Sequence, residues 1–273
     1  MRGVYVDTSV PDSLELRAEV LRLIVPPDSF VTDRTAGWLH GAPMILGPRD
    51  HEVAPPLSVY RLPDHGRHRL TMLDSGERTV SAEDLVTVRG ITATTPLRTA
   101  LDLGRLLPRA QALGALDSLL RLGAFSREDL LANVERLARQ RGVVQLRRLA
   151  PWADAGAASP GESSLRLRWL EAGLPRPELQ IPVVVDGRPI FFLDMGLEEL
   201  LFAAEYDGEE WHSRDGDRAY DEDRRQWLAE RRAWRIEVFR SEQVYGRNEI
   251  ASHQLTRAFH EARRTLGLRS YIL

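Results

Sequence analysis

Leu200-Leu201-Phe202-Ala203-Ala204-Glu205-Tyr206-Asp207-Gly208 is a short apolar run that gives way to two acids and closes on glycine. A run of this length bounded by a turn residue is the pattern of a buried strand. Alternate side chains of a strand share a face, so Glu205 and Asp207 are predicted to point the same way with their carboxylates close together. Two such charges repel unless a cation lies between them. Hard oxygen donors suit Mg²⁺ or Mn²⁺, ions that hold phosphates and activate water for phosphodiester cleavage. His212 follows just downstream as a further proton-transfer group.

The flanking sequence builds a domain around this strand. Residues 179–185 and 189–193 are apolar runs separated by Asp186-Gly187, which predicts an antiparallel hairpin because both turn residues tolerate positive φ. Asp194 closes the second run, and the 11 residues from there to Glu205 (205 − 194) suffice for a short connection and a third strand beside it. Upstream, Ser159-Pro160-Gly161-Glu162 opens a helix that runs through Glu171, with Leu165, Trp169 and Leu170 on one face, Gly173 as its stop and Glu162 in its first turn. Downstream, residues 217–234 read as a charged helix, Arg235-Ile236-Glu237-Val238-Phe239-Arg240 as an alternating strand, and residues 248–266 as a final helix. The predicted order is helix, three strands, helix, strand, helix.

That order, with Asp194, Glu205 and Asp207 on the second and third strands, resembles the restriction-endonuclease-like superfamily, whose signature is written PD-(D/E)XK. Within it, the chain is most similar to the branch allied to very short patch repair endonucleases. The resemblance covers residues 159–273 and is carried by Glu162 after Ser-Pro-Gly, Gln180 at the start of the first strand, Asp194, Glu205-Tyr206-Asp207-Gly208 with His212, the helix around Asp223-Arg224, and the strand entered through Trp234-Arg235. It implies an α/β, restriction-endonuclease-like C-terminal domain that hydrolyses DNA phosphodiester bonds with Mg²⁺ or Mn²⁺. Asp194 and Glu205 would be metal ligands, Glu162 or Asp207 would complete the shell, and His212 would act as base or phosphate contact. The signature ends in Lys, whereas all 37 permanently cationic side chains here are Arg and Asp207 occupies the signature position. Activation of water would then fall to the metal, or to His212 or Glu162 as base.

Composition bounds the alternatives. A chain of 273 residues with 43% hydrophobic content suits two globular domains, predicted at residues 1–156 and 157–273. The absence of Cys excludes disulfides and thiolate zinc sites. No apolar run approaches a membrane span and the N-terminus lacks a signal-peptide layout, so a cytoplasmic location is expected. A net charge of −3 gives no global attraction to DNA, which leaves local groups as contacts: Gln180, Arg224 with Arg225, Arg166 with Arg168, and Arg231 with Arg232.

Ahead of Ser159 the character changes. Residues 57–62 and 85–91 read as strands, residues 31–39 as a short capped helix ending at Gly41, residues 96–148 as helical, and residues 153–161 as a linker. The stretch Ser29-Phe30-Val31-Thr32-Asp33-Arg34-Thr35-Ala36-Gly37-Trp38-Leu39-His40-Gly41, with Thr92-Ala93-Thr94-Thr95-Pro96-Leu97-Arg98-Thr99-Ala100-Leu101-Asp102-Leu103-Gly104, resembles the AbiEi-type antitoxin and regulator family. Members begin with a winged helix whose last strand follows an Arg-Gly-Val-Tyr-like sequence, and here Arg2-Gly3-Val4-Tyr5 stands almost first. The resemblance implies an α+β antitoxin-like domain with a toxin as partner. It also leaves open a non-catalytic DNA-binding regulator that uses the nuclease fold as a scaffold.

Overall fold

The computed structural model describes residues 5–48, 50, 52–53, 55–69, 73–208, 227–228, 232–245 and 250–267. The chain divides into two compact units, Met1–Ala155 and Gly156–Leu273. Among the described residues, no helix is long and apolar enough to cross a membrane.

The front unit is built on a mixed sheet of β1 (Phe30–Val31), β2 (Leu57–Arg61), β3 (Leu73–Glu77), β4 (Leu85–Val88) and β5 (Ile91–Thr94), in the order β3-β2-β1-β5-β4. Helices α1 (Leu14–Arg22) and α2 (Asp33–Leu39) bury Ala18, Leu21, Ala36 and Leu39 against Val31, Val59, Ile91 and Ala93 of that sheet. The helix expected from residue 31 starts at Asp33 instead, because Phe30 and Val31 are taken into the sheet by Tyr60 and Val59. Residues 85–91, expected as one strand, are a hairpin. Arg89 (φ 48°) and Gly90 (φ 81°) both enter the left-handed region, the conformation a two-residue turn demands, and Val88 pairs with Ile91.

Helices then complete the front unit: α3 (Pro96–Leu106), α4 (Arg109–Leu120), α5 (Arg127–Asn133) and α6 (Val143–Leu149). The first is started by Thr95, whose side chain accepts from the Arg98 N–H, with Pro96 in the first turn where no N–H is needed. Leu101, Leu113, Leu116, Leu119 and Leu146 are fully buried. Each such side chain contributes about 1.5–3 kcal/mol of burial free energy before the ordering entropy is charged against it.

In the rear unit, α7 (Pro160–Glu171) begins at Ser159, whose Oγ accepts from the Glu162 N–H at 3.1 Å. Four strands follow, β6 (Glu178–Val185), β7 (Arg188–Leu197), β8 (Phe202–Asp207) and β9 (Arg235–Arg240), in the sheet order β6-β7-β8-β9. Only the β8–β9 pairing is parallel. Helices α8 (Ser241–Tyr245) and α9 (Ile250–Thr265) close the described chain. Asp186 (φ 50°) and Gly187 (φ 77°) make the hairpin turn read from the sequence. One face of the sheet packs Met195, Leu197, Phe202, Ala204 and Phe239 with Leu165 and Trp169 of α7 and Leu255 and Phe259 of α9. Trp169 stacks on Phe202 with ring centroids 5.2 Å apart. A second cluster holds Ile181, Val183, Leu193, Ala203, Leu228 and Trp234.

Three expectations for this unit change. Asp194 lies inside β7 rather than at its end, because Met195, Gly196 and Leu197 continue the ladder against Ala204, Ala203 and Phe202. Leu200 and Leu201 are not in β8: residues 198–200 form a 3₁₀ turn, and Leu201 (φ 48°) reverses the chain into the strand. The short helix α8 was not foreseen. Of the charged helix expected over residues 217–234, residues 217–226 and 229–231 lie outside the described residues; Trp227 and Leu228 are helical, and Trp234 is not.

Candidate functional site

Register in the rear sheet lines three polar positions across three strands. The pairs Met195↔Ala204 and Gly196↔Ala203, continued by one residue, set Asp194 against Glu205. Asp194 Oδ2 accepts from the Tyr206 N–H at 2.8 Å, which fixes that carboxylate at the β7–β8 junction. On the other side, the pairs Leu179↔Met195 and Ile181↔Leu193 set Gln180 against Asp194.

The strands are irregular at this point. Gln180 has φ 50°, a left-handed conformation for a non-glycine residue inside a strand. Phe202 and Ala204 belong to the core beneath α7, and Ala203 between them belongs to the second cluster, so the two clusters occupy opposite faces. Leu179 and Met195 pack into the first, whereas Ile181 and Leu193 pack into the second. Residues two apart in a regular strand share a face. Both β6 and β7 therefore exchange faces, at Gln180 and at Asp194.

Glu162 reaches the same place from the first turn of α7. It is only 8% exposed, and its Oε2 accepts from the Ala158 N–H at 2.8 Å and from Gln180 Nε2 at 3.0 Å. A helix N-terminus favours negative charge, which offsets part of the cost of burying this carboxylate. The close approach of α7 to β8 depends on Gly161, since a Cβ there would stand 2.1 Å from the Tyr206 ring. Glu205 is buried at 6% exposure. Asp207 differs: it is half-buried at the end of β8, with Oδ2 3.5 Å from Nε of Arg240, its register partner on β9. The two acids that the sequence placed in one environment thus occupy two, and the charge of Asp207 is met by a guanidinium.

Among the described residues, no three His, Asp or Glu side chains gather closely enough to hold a metal ion. Asp194 and Glu205 form a pair of hard oxygen donors. Such a pair fits Mg²⁺, which is commonly held by one or two carboxylates and keeps its remaining positions for water and phosphate oxygens, and does not fit a closed protein cage. His212, Arg224, Arg225 and Arg231 lie outside the described residues. Two expected DNA contacts are corrected: Arg166 is buried within α7, and Arg168 is tied to the Val244 carbonyl at 2.9 Å and to Glu171 at 3.1 Å.

Sequence reading missed a buried ionic network in the front unit. Asp102 lies between Arg98 (2.9 Å), Arg105 (2.7 Å) and Arg78 (3.5 Å), while Arg98 also meets Asp84 at 2.8 Å and Arg78 meets Asp33 at 2.7 Å. The available signal was the i, i+4 spacing of Arg98 and Asp102 on α3. Desolvation would raise the Asp84 carboxyl, but the Ser81 hydroxyl and N–H and the Arg98 guanidinium outweigh it and hold the group below its usual range. Burial likewise opposes the charge on Arg78, and Asp33 and Asp102 more than restore it. A cavity of about 260 Å³ lined by Ser81, Asp84, Arg98, Arg136, Leu137 and Gln140 opens on this network.

Two uncharacterized proteins of Mycobacterium tuberculosis, one from strain CDC 1551 / Oshkosh and one from strain H37Rv, are each 39% identical to this chain over 126 residues, 46% of this chain and 46% of the relative. The match thus spans less than half the length of the relatives. No solved structure matches the chain. A family model described as the AbiEi antitoxin C-terminal domain matches residues 30–152, a span that falls within the front unit. The front unit therefore carries an AbiEi antitoxin-like domain.

Proposed function

We propose that the rear unit is a restriction-endonuclease-like, divalent-metal-dependent DNA endonuclease, and that the antitoxin-like front unit sets it in a toxin–antitoxin or abortive-infection context with a toxin as its protein partner. The observation that carries this reading is the opposition of Asp194 and Glu205 across β7 and β8. The sheet order β6-β7-β8-β9 with its single parallel pair, flanked by α7 and α9, supports the same reading.

Bound Mg²⁺ or Mn²⁺ would neutralise the scissile phosphate and acidify a water beside it. Asp194, oriented by the Tyr206 N–H, and Glu205 would hold the ion. Glu162, with no Lys in the chain, takes the proton from the attacking water, and His212 serves as a second base or as a phosphate contact. Arg224 and Arg225 meet the DNA backbone. Asp207, paired with Arg240, orients the end of β8 rather than completing the metal shell.

A second reading has an observation of its own. With Asp207 neutralised and no group of three ligands among the described residues, the rear fold would also serve a non-catalytic DNA-binding regulator. Incubation of the full chain with single- and double-stranded DNA and RNA, with and without Mg²⁺ or Mn²⁺, separates the two. Endonuclease action requires metal-dependent cleavage of DNA that Asp194→Asn and Glu205→Gln each abolish. Cleavage at full rate in either variant removes the site; metal-independent binding with no cleavage by the wild type selects the regulator.

A further inference from the structure

Gln180 combines three features that none of its neighbours shares. It adopts φ 50° at the third position of β6, it lies between the pairs Leu179↔Met195 and Ile181↔Leu193 and so beside Asp194, and it donates a hydrogen bond to Glu162. The left-handed region costs a residue with a Cβ on the order of 1 kcal/mol or more, and such strain persists only where the surroundings enforce it. Asn or Gly would meet the backbone requirement more cheaply. Asn is one methylene shorter, however, and Gly has no donor. The Gln side chain is long enough to reach Glu162 Oε2, at 3.0 Å.

What it reaches is an unusual carboxylate. Both hydrogen bonds to the Glu162 carboxylate fall on Oε2, from an N–H and from an amide NH₂, and neither donor is charged. Oε1 has no partner among the described residues. A side chain only 8% exposed that is gripped by one oxygen is fixed in orientation, with no guanidinium matching its charge among the described residues. The face exchange of β6 and β7 at Gln180 and Asp194 is what brings an amide from the strand to the first turn of α7.

We infer that Gln180 is a positioning residue of the proposed nuclease site: it clamps Glu162 through Oε2, and so keeps Oε1 directed to the water-activating work that Asp194 and Glu205 frame. This rests on the nuclease reading above and replaces a direct nucleic-acid contact as the role of Gln180. Groups that orient metal-site carboxylates typically change metal affinity or turnover about 10- to 100-fold when removed. That scale sets the expectation.

The test uses the full chain, a DNA substrate and Mn²⁺. Gln180→Leu removes the donor at similar volume; it should lower kcat about 10- to 100-fold with KM for DNA changed less than about twofold, and leave the Mn²⁺ concentration needed for half-maximal thermal stabilisation unchanged, since Asp194 and Glu205 hold the ion. Gln180→Gly, which relieves the left-handed backbone, should be folded and at least as stable as wild type, yet equally slow. Glu162→Gln should match these losses, and adding Gln180→Leu to Glu162→Gln should produce no further drop, since the first acts only through the second. An additional drop in the double variant, a loss of DNA affinity in chelator with kcat intact, or wild-type turnover in Gln180→Leu would each overturn the inference. If Gln180→Leu is wild-type while Asp194→Asn is dead, the nuclease reading stands and the clamp alone is wrong. If wild type shows neither cleavage nor a Mn²⁺ response, both fall together.

Discussion

Asp102 in the front unit and Glu162 in the rear are both carboxylates withdrawn from water, one fully and one to 8% exposure, yet their partners differ in kind. Asp102 is enclosed by three guanidinium groups, and the nearby Asp84 and Asp33 each have an arginine as well. Among the described residues, Glu162 meets an N–H and a side-chain amide, both on one oxygen. A buried charge closed by counter-charges is spent on architecture; it joins Arg78, just past β3, to α2 and α3 and has nothing left to offer a ligand. A buried charge held by neutral donors keeps its negative potential, which is the condition a cation or a proton needs.

Isosteric neutralisation of the two carboxylates sharpens this contrast. Asp102→Asn deletes the charge at the centre of the arginine network and leaves Arg98 and Arg105 buried with too little compensation. Breaking such a pair from one side costs about 3–5 kcal/mol, so the front unit should lose much of its resistance to urea, read as a lower unfolding midpoint at unchanged slope. Stability within about 1 kcal/mol of wild type would mean that the network is only loosely coupled to folding. The corresponding change in the rear unit, Glu162→Gln, should be far milder. The new amide oxygen can accept the same two hydrogen bonds, and the charge it removes had no ionic partner to lose, so the rear transition should move by less than about 1 kcal/mol in either direction. A loss as large as that of Asp102→Asn would show Glu162 to be a structural group, and the two units would no longer differ in the way described.

Much of the rear unit could be read from sequence because its signals are local. Ser159 before Pro160 marks a helix start, and Asp186-Gly187 between apolar runs marks a tight turn; each works through the conformations those residues allow. The features that shape the site are not local. The left-handed Gln180 lies in a run whose composition says only strand, and its conformation goes with the hydrogen bond to Glu162 and the face exchange with β7. Asp194 read as a strand end because it interrupts the apolar run, whereas the ladder continues through Gly196 to Leu197. In the front unit, the turn at Arg89-Gly90 was hidden inside an alternating apolar run, and the arginine network joins residues from Asp33 to Asp102 that no periodicity connects.

The central claim is that Asp194 and Glu205 are placed to receive a divalent cation. It is tested most directly by thermal unfolding of the full chain with and without Mn²⁺, at matched ionic strength so that general screening is held constant. A ligand that binds only the folded state stabilises it by RT ln(1 + [L]/Kd), about 2.7 kcal/mol at roughly a hundredfold excess over Kd, which for a unit of this size is an upward shift of several degrees. The account predicts that wild type shows this shift in the rear transition and that Asp194→Asn and Glu205→Gln do not. An equal response of wild type and both variants would show that neither carboxylate holds the ion.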